Sequence, residues 1–125
     1  MKKILITGTN SYIGTSLEKW LGKYAEKYLI DSIDMRGDSW KERDFSEYDV
    51  VFHVAGIAHV SSKPKMEDLY YEVNRDLTIE AAEKSKNEGV KQFIFMSSII
   101  VYGDSSSNKS VIDKNTVPKP SNFYG

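Results

Sequence analysis

Four short apolar runs along the chain predict β-strands. They are rich in Ile, Leu, Val and Phe, and each stops at a glycine or a polar residue, as buried parallel strands do. The runs cover residues 4–7, 29–33, 50–55 and 92–96. A fifth, shorter strand is predicted at 40–43, because the stretch 35–49 is too short to hold a full crossover helix.

Two segments between these runs predict helices, because their apolar residues recur at every third or fourth position. In the first segment these residues are Ile13, Leu17, Trp20, Leu21 and Tyr24; in the second, over 66–86, they are Met66, Leu69, Tyr70, Val73, Leu77 and Ala81. Gly89 follows the second segment as a predicted C-cap. Strands that alternate with amphipathic helices predict an α/β domain with a doubly wound parallel sheet over residues 1–125.

Composition narrows the class of protein. The 125 residues are 40% apolar, enough for one core, and the net charge of −1 gives no electrostatic reason to expect nucleic acid or an anionic membrane as a partner. The absence of cysteine excludes disulfides and thiolate metal sites, and the two histidines lack a partner at metal-ligand spacing. No apolar run suits a signal peptide or a membrane span, so we expect a soluble cytoplasmic protein without a metal.

A glycine-containing turn lies between the first predicted strand and the first predicted helix. Gly8 would permit a sharp turn, and Gly14 would let the helix pack closely on the sheet. Ser11 takes the middle position of the Gly-x-x-Gly-x-x-Gly spacing, where a side chain is tolerable only at negative φ. Backbone N–H groups at such a helix start can bind a phosphate. The predicted phosphate-binding residues are Gly8, Asn10, Ser11, Tyr12, Ile13 and Gly14. The glycine pair alone fits an ordinary strand–helix turn equally well.

Asp34 strengthens the case for a dinucleotide site. It ends the second predicted strand, about 20 residues after Gly14, where a carboxylate can accept hydrogen bonds from both ribose hydroxyls of an adenosine. That carboxylate would repel a 2′-phosphate and so favours NAD over NADP. Arg36 weakens the preference, because it could pair with such a phosphate. The alternative for Asp34 is a solvated acid at a strand end.

Several motifs together resemble a known family. They are Thr7-Gly8-x-x-Ser11-x-x-Gly14, Asp34, Asp44-Phe45, His53-Val54-Ala55-Gly56, His59-Val60, Val73-Asn74, Ser97-Ser98-Ile99-Ile100-Val101-Tyr102-Gly103 and Tyr124-Gly125. In this order they resemble the N-terminal part of the extended short-chain dehydrogenase/reductases, the NAD-dependent nucleotide-sugar epimerases and dehydratases. The resemblance covers nearly the whole chain. It implies a Rossmann-like sheet of about five strands in order 3-2-1-4-5, without the C-terminal strands and substrate lobe, and a role in surface-polysaccharide synthesis.

The resemblance also implies a role for individual residues. Asp44 would contact the adenine amino group, with Phe45 beside the ring, and the residues Ala55, Gly56 and Ile57 would line the cofactor. Asn74 would hold the active-site backbone in place. Ser98 would form a hydrogen bond with the reacting sugar oxygen, and Tyr124 would be the acid/base. His59 matches a family position near the substrate, although loop packing explains it equally well. His53 lies inside an apolar run, and we expect a hydrogen-bonded core residue there.

The expected activity depends on a neighbour of Tyr124. A free phenol titrates near about 10, so a tyrosine base at neutral pH needs positive charge close by. The family places a lysine four residues after that tyrosine, whereas the chain ends at Gly125, and we therefore expect the fragment itself to be inactive. In the full-length parent, which would bind a nucleotide-sugar, the predicted activity is that of a UDP-glucose 4-epimerase-like enzyme with NAD. A dehydratase, a reductase or a non-catalytic dinucleotide-binding module is the alternative.

Three further expectations come from comparison with the family. Many dehydratases of the family carry an Asp-Glu pair where this chain has Ile99-Ile100, which favours an epimerase. The helix over 66–86 corresponds to one that pairs between subunits, so we expect a homodimer through it. The strand at 92–96 would be left as an exposed edge of the sheet.

Overall fold

A parallel β-sheet forms the centre of the molecule. The computed structural model describes residues 1–58, 64–103 and 111–125. In this part of the chain four strands pair in the order β2-β1-β3-β4, all parallel. Their bounds are Lys2–Thr7 for β1, Tyr28–Ile33 for β2, Val50–His53 for β3 and Gln92–Phe95 for β4. The predicted α/β class with a parallel sheet is confirmed.

Helical segments connect the strands. Between β1 and β2 lie α1 (Tyr12–Leu21) and a 3₁₀ turn at Gly22–Tyr24, and between β2 and β3 lies a 3₁₀ helix at Ser39–Glu42. A long helical segment connects β3 to β4; it consists of a 3₁₀ turn (Pro64–Met66), α2 (Glu67–Tyr70), a π-helical turn (Tyr71–Asp76) and α3 (Leu77–Asn87). A further 3₁₀ helix, at Ile99–Tyr102, follows β4. Gly89 has φ +81°, and the next residue, Val90, donates its N–H to the carbonyl of Ser85 at 2.9 Å. This confirms the predicted C-cap.

The sheet is covered on both faces, as a doubly wound sheet requires. Alternate residues of β1 point to opposite sides. Ile4 and Ile6 join a core that packs against Leu17 and Leu21 of α1. Leu5, between them, joins the second core, which includes buried side chains of β3, of α3 and of the segment between β2 and β3. The carboxyl ends of β1, β2 and β3 are therefore supported by a hydrophobic core on each face of the sheet.

The first helix buries less of its apolar side than the sequence pattern predicts. Leu17 and Leu21 pack on the sheet. Ile13, Trp20 and Tyr24 are 40%, 57% and 39% exposed. The α-helix ends at Leu21, and the tighter 3₁₀ turn that follows changes the angular position of Tyr24. In the described residues, the contact of α1 with this core is therefore made mainly by Leu17 and Leu21.

The predicted strand at 40–43 is wrong. Ser39–Glu42 forms a 3₁₀ helix instead, and the sheet has four strands in the described residues. One compact helical turn places the Trp40 side chain in the core, 2% exposed, with its ring centroid 6.3 Å from that of Phe45. Arg43 turns the other way, toward the hydroxyl of Tyr48 and the carboxylate of Asp31. The remaining four strands keep the predicted order.

Candidate functional site

The turn after β1 packs against the ends of two neighbouring strands. Gly8 has φ +102°, a conformation that disfavours any residue with a side chain. Its N–H donates to the carbonyl of Ile33, the last residue of β2, at 2.8 Å. A Cβ at this position would lie 3.1 Å from the backbone nitrogen of Ala55, just after β3. Gly8 is therefore required by both the turn and the close approach of the backbone.

The start of α1 has the geometry that the sequence predicts. Ser11 has φ −70°, and its Oγ accepts the N–H of Gly14 at 3.0 Å as the N-cap. A Cβ on Gly14 would lie 3.0 Å from Ile6 Cγ2 and 3.2 Å from Val54 Cγ2, so the helix packs on the sheet without space for a side chain. The negative φ and the close packing are both confirmed.

The same helix start can hold an anion. The first N–H groups of an α-helix have no acceptor within the helix. Ser11 accepts that of Gly14, which leaves the N–H groups of Tyr12 and Ile13 for a ligand at the positive end of the helix dipole. Asn10, with φ +63°, completes the sharp turn before the helix. This arrangement fits a phosphate group.

Asp34 follows β2 directly and forms an ion pair with Arg36. The Arg36 guanidinium donates from Nε to both carboxylate oxygens at 3.1 Å and from Nη2 to Oδ2 at 2.7 Å. The backbone N–H of Arg36 adds a bond to Oδ1 at 2.9 Å. These side-chain and backbone hydrogen bonds lower the pKa of Asp34 from 3.8 to about 2, so the carboxylate is ionised at neutral pH.

A cleft extends from the turn to this ion pair. We call it the first cleft; its lining includes Gly8, Ser11, Asp34, Arg36, Trp40 and Lys41. The long helical segment forms the opposite wall through residues such as Glu72 and Glu80. The buried indole N–H of Trp40 has no hydrogen-bond acceptor among the described residues.

Asp44 and Phe45 do not line this cleft. The Asp44 carboxylate accepts hydrogen bonds from the hydroxyl and the backbone N–H of Ser46, at 2.6 and 2.8 Å, which lower its pKa. Phe45 is fully buried, and its N–H donates to Glu88 at 2.9 Å. Trp40, in contrast, lines the first cleft.

Asn74 holds the loop that follows β3. Its Oδ1 accepts the N–H of Ile57 at 2.8 Å and its Nδ2 donates to the carbonyl of the same residue at 2.9 Å. A Cβ on Gly56 would lie 3.0 Å from that Oδ1, so the loop passes close to the amide. The backbone contact is of the kind expected for Asn74.

His53 links the sheet to the same helical segment. Its Nδ1 lies 2.7 Å from the hydroxyl of Thr7, and its Nε2 lies 3.0 Å from the hydroxyl of Thr78. Thr78 donates its hydroxyl proton to the carbonyl of Asn74 at 2.9 Å, so Nε2 carries the ring proton and Nδ1 accepts from Thr7. Burial lowers the pKa of His53 from 6.5 to about 4. The predicted hydrogen-bonded core role is confirmed, whereas His59 and Val60 lie outside the described residues.

A second cleft begins where the first ends. It shares Ser11 and the loop residues Val54, Ala55, Gly56 and Ile57 with the first cleft. Ser98 and Tyr124 both line it, together with Asn74. The Tyr124 ring packs at a tilt against Tyr70, with centroids 5.6 Å apart. Ser98 caps the 3₁₀ helix that follows it, with Oγ 3.4 Å from the N–H of Ile100.

Three contributors to the site were missed by the sequence reasoning. Trp40 was assigned to a strand, and neither Thr7 nor Thr78 was singled out. Thr78 carried a usable signal, because it follows Asn74 by four residues and residues at that spacing share a helix face.

Within residues 1–58, 64–103 and 111–125 no group of three or more acidic or histidine side chains could hold a metal ion. In the same ranges, no helix has the length and apolar character needed to cross a membrane.

The fold and the glycine-containing turn together define a parallel α/β domain of the Rossmann-like kind. The model of the NAD dependent epimerase/dehydratase family matches residues 4–125, and the chain belongs to this family. Its sequence is 35% identical over 120 residues to a UDP-glucose 4-epimerase of Vibrio cholerae, covering 82% of this chain and 37% of that protein.

Other relatives agree with this placement. An N-acetyl-alpha-D-glucosaminyl-diphospho-ditrans,octacis-undecaprenol 4-epimerase of Escherichia coli O157:H7 is 30% identical over 134 residues, covering 98% of this chain and 39% of that protein. Among solved structures, the UDP-glucuronic acid 4-epimerase from Bacillus cereus in complex with NAD has a TM-score of 0.77 and 26% identity, covering 98% of this chain and 48% of that one. The chain thus spans less than half the length of these relatives.

Proposed function

We propose that the chain binds NAD across the two clefts, as the cofactor-binding part of a nucleotide-sugar epimerase that acts on a UDP-sugar. The continuity of the clefts supports this most directly. They meet at Ser11 and the loop 54–57, with Asp34 at one end and Tyr124 at the other. A dinucleotide has the same order of parts: a nucleoside, a pyrophosphate and the reactive nucleoside.

The residues present fit such a ligand. The free N–H groups at the start of α1 suit the pyrophosphate, and Gly8 lets the backbone approach it. The ionised carboxylate of Asp34 is an acceptor for ribose hydroxyls. Ala55, Gly56 and Ile57 would line the part of the cofactor beyond the pyrophosphate, because they face both clefts.

The chain's own residues have defined tasks in this proposal. NAD, when bound, supplies reversible hydride transfer with the sugar carbon. The hydroxyl of Tyr124 would move the proton of the sugar hydroxyl, and Ser98 would hydrogen-bond the same oxygen. Asn74 would keep the loop at Ile57 in position through its two hydrogen bonds. Tyr124, Ser98 and Asn74 all line the second cleft.

Epimerisation is favoured over elimination of water. Elimination needs acidic and basic side chains beside the sugar, and the positions after Ser98 are Ile99 and Ile100. Ile99 is 73% exposed, so its apolar side chain is not required by the core. The V. cholerae and E. coli relatives are both 4-epimerases by name. A cytoplasmic location fits an enzyme that uses NAD and a nucleotide-sugar.

Calorimetric titration with NAD, ADP-ribose and AMP tests the proposal. We expect saturable binding of NAD and ADP-ribose in the millimolar range or below, and weaker binding of AMP, which lacks the pyrophosphate. Absence of heat for all three ligands at millimolar concentration would refute the proposed function. Equal affinity for AMP and ADP-ribose would refute the role of the turn.

A further inference from the structure

A chain of hydrogen bonds crosses the domain from the end of β1 to the loop that both clefts share. The Thr7 hydroxyl donates to Nδ1 of His53 at 2.7 Å, and the Nε2–H of His53 donates to the hydroxyl of Thr78 at 3.0 Å. The Thr78 hydroxyl donates to the carbonyl of Asn74 at 2.9 Å. The side chain of Asn74 then bonds the N–H and the carbonyl of Ile57. The chain therefore connects β1, β3, the long helical segment and the loop.

The His53 ring is a fixed point in this chain. Its side chain is fully buried, and the ring stacks against Phe93 and Phe95 with centroids 5.7 and 6.3 Å apart. Because burial lowers its pKa to about 4, the ring is neutral at pH 7 and offers one donor and one acceptor. Both are used, by Thr78 and by Thr7. The sheet thus holds the helical segment through a ring that packing keeps in one orientation.

Thr78 differs from an ordinary hydroxyl residue of a helix because it accepts this bond from the sheet. A serine or threonine in a helix commonly bonds the carbonyl four residues earlier. Ser85, buried in the same helix, makes that bond with Ala81 at 2.7 Å and has no other side-chain hydrogen bond among the residues that the structure describes. Thr78 lines the second cleft, but its hydroxyl proton is already donated to Asn74. It therefore acts on the cleft through Asn74.

We propose that Thr78 is a positioning residue of the cofactor site, which holds the loop 54–57 in place through Asn74. A Cβ on Gly56 would lie 3.0 Å from the amide oxygen of Asn74, so the loop has little room to move independently of that side chain. In the proposed function this loop lines the part of the cofactor beyond the pyrophosphate, whereas Asp34 binds the adenosine. The inference rests on that proposed function and adds a residue that determines the shape of the site.

Calorimetry with ADP-ribose and AMP tests the inference, because only ADP-ribose extends to the loop in the proposed binding mode. Thr78→Val keeps the shape of the side chain and removes the hydroxyl. It should weaken ADP-ribose by about threefold to tenfold, the usual effect of one hydrogen bond, and AMP by less than about twofold. Thr78→Ala removes the same hydroxyl and favours the helix, so it should have the same effect. Thr78→Ser keeps the hydroxyl and should restore the affinity for ADP-ribose.

Amide hydrogen exchange of Ile57 gives a second measurement that needs no ligand. The N–H of this residue is bonded to Oδ1 of Asn74, so its exchange reports how firmly the loop is held. We expect Thr78→Val to accelerate this exchange by about threefold to tenfold, the same factor as for the affinity. Unchanged exchange in this variant would overturn the inference.

Ser85→Ala is the matched control, because it removes a buried hydroxyl with the same helical bond but no link to the loop. It should leave the affinity for ADP-ribose and the exchange of Ile57 unchanged, and urea midpoints will show that all variants fold. An unchanged affinity for ADP-ribose in Thr78→Val, or an equal loss in Ser85→Ala, would overturn this inference and leave the proposed function standing. Absence of ADP-ribose binding by the unchanged protein would overturn the proposed function, and the inference with it.

Discussion

The side chain of Asn74 forms two hydrogen bonds with the backbone of a single residue, Ile57. Its amide oxygen accepts the Ile57 N–H at 2.8 Å, and its amide nitrogen donates to the Ile57 carbonyl at 2.9 Å. Asn74 lies in the π-helical turn Tyr71–Asp76, where the N–H of Leu77 bonds the carbonyl five residues earlier. Such turns occur frequently at functional sites. Here the turn fixes the loop that both clefts share.

Asn74→Ala should therefore destabilise the fold. It leaves the N–H and the carbonyl of Ile57, both partly buried, without these partners, and we expect a loss of about 1–3 kcal/mol in the free energy of unfolding. Urea denaturation measures this loss. Asn87→Ala, at the exposed end of α3, is the control and should change stability by less than about 0.5 kcal/mol. Equal effects of the two substitutions would contradict the role given to Asn74.

Local patterns were sufficient for the four strands of the sheet and for the glycine turn, but not for the segment 40–43. Gly8, Ser11 and Gly14 act within one strand–helix connection, where spacing fixes both the turn and the cap. The place of Asp34 at the end of β2 could likewise be predicted, because parallel strands present their carboxyl ends at one edge of the sheet.

Contacts between distant segments could not be predicted in the same way. The conformation around Trp40 depends on burial of its indole against Phe45 and neighbouring core residues, and no local period encodes that choice. The spacing of the apolar residues also gave no sign of the π-helical turn at Tyr71–Asp76. The partners of His53 likewise come from β1 and from α3, far apart in sequence.

His53 makes stability depend on pH. The unfolded chain protonates this residue near pH 6.5, whereas burial lowers the pKa in the folded protein to about 4. Between these values the unfolded state binds more protons, so stability falls as the pH is lowered through this window and is constant above it. From about pH 7 to about pH 5 the loss should be about 2 kcal/mol.

His53→Gln isolates this effect. Glutamine keeps a donor and an acceptor but does not titrate, so the variant should lose most of the pH dependence seen in urea midpoints across this window. Asp34 does not interfere, because its pKa of about 2 places its contribution at lower pH. An unchanged pH dependence in the variant would mean that another group titrates.

Gly14→Ala and Gly22→Ala should have opposite effects. A Cβ at Gly14 would lie 2.5 Å from Ser11 Oγ and 3.0 Å from Ile6 Cγ2, so the cap and the packing of α1 must shift, at a cost of about 1–3 kcal/mol. Gly22 has φ −59° and nothing within 4 Å of the added atom, so alanine should stabilise the protein by about 0.4–1 kcal/mol. Thermal unfolding of both variants checks this. A stable Gly14→Ala variant would contradict the packing seen at Gly14, and destabilisation by Gly22→Ala would contradict the open space at that position.

Asp34→Ala should weaken binding more than Tyr124→Phe does. Asp34 would accept the ribose hydroxyls, and loss of a charged hydrogen bond weakens ADP-ribose by about tenfold. Tyr124 lies in the second cleft, and its hydroxyl matters only when a sugar is present, so its loss should change affinity by less than about twofold. Calorimetry with ADP-ribose compares the variants. A larger effect of Tyr124→Phe would place the adenosine in the second cleft.

Two exposed apolar surfaces predict self-association of the isolated chain. Strand β4 pairs with β3 on one side and with no other strand in the described residues. Ile94 and Phe95 on this strand are 37% and 51% exposed. On the long helical segment, Ile79 is 49% exposed. An unpaired strand edge can add another strand, whereas an apolar helix side can pair with its copy.

Single lysine substitutions distinguish the two routes. If the helix over 66–86 mediates the predicted dimer, Ile79→Lys should shift light scattering toward the monomer, because pairing would bury the new charge. If the strand edge mediates it, Ile94→Lys should have that effect instead. Ile112→Lys, at a 45% exposed position outside the sheet and the helices, is the control and should change nothing. We expect the helix to dominate, and a protein that is already monomeric at high concentration would contradict both routes.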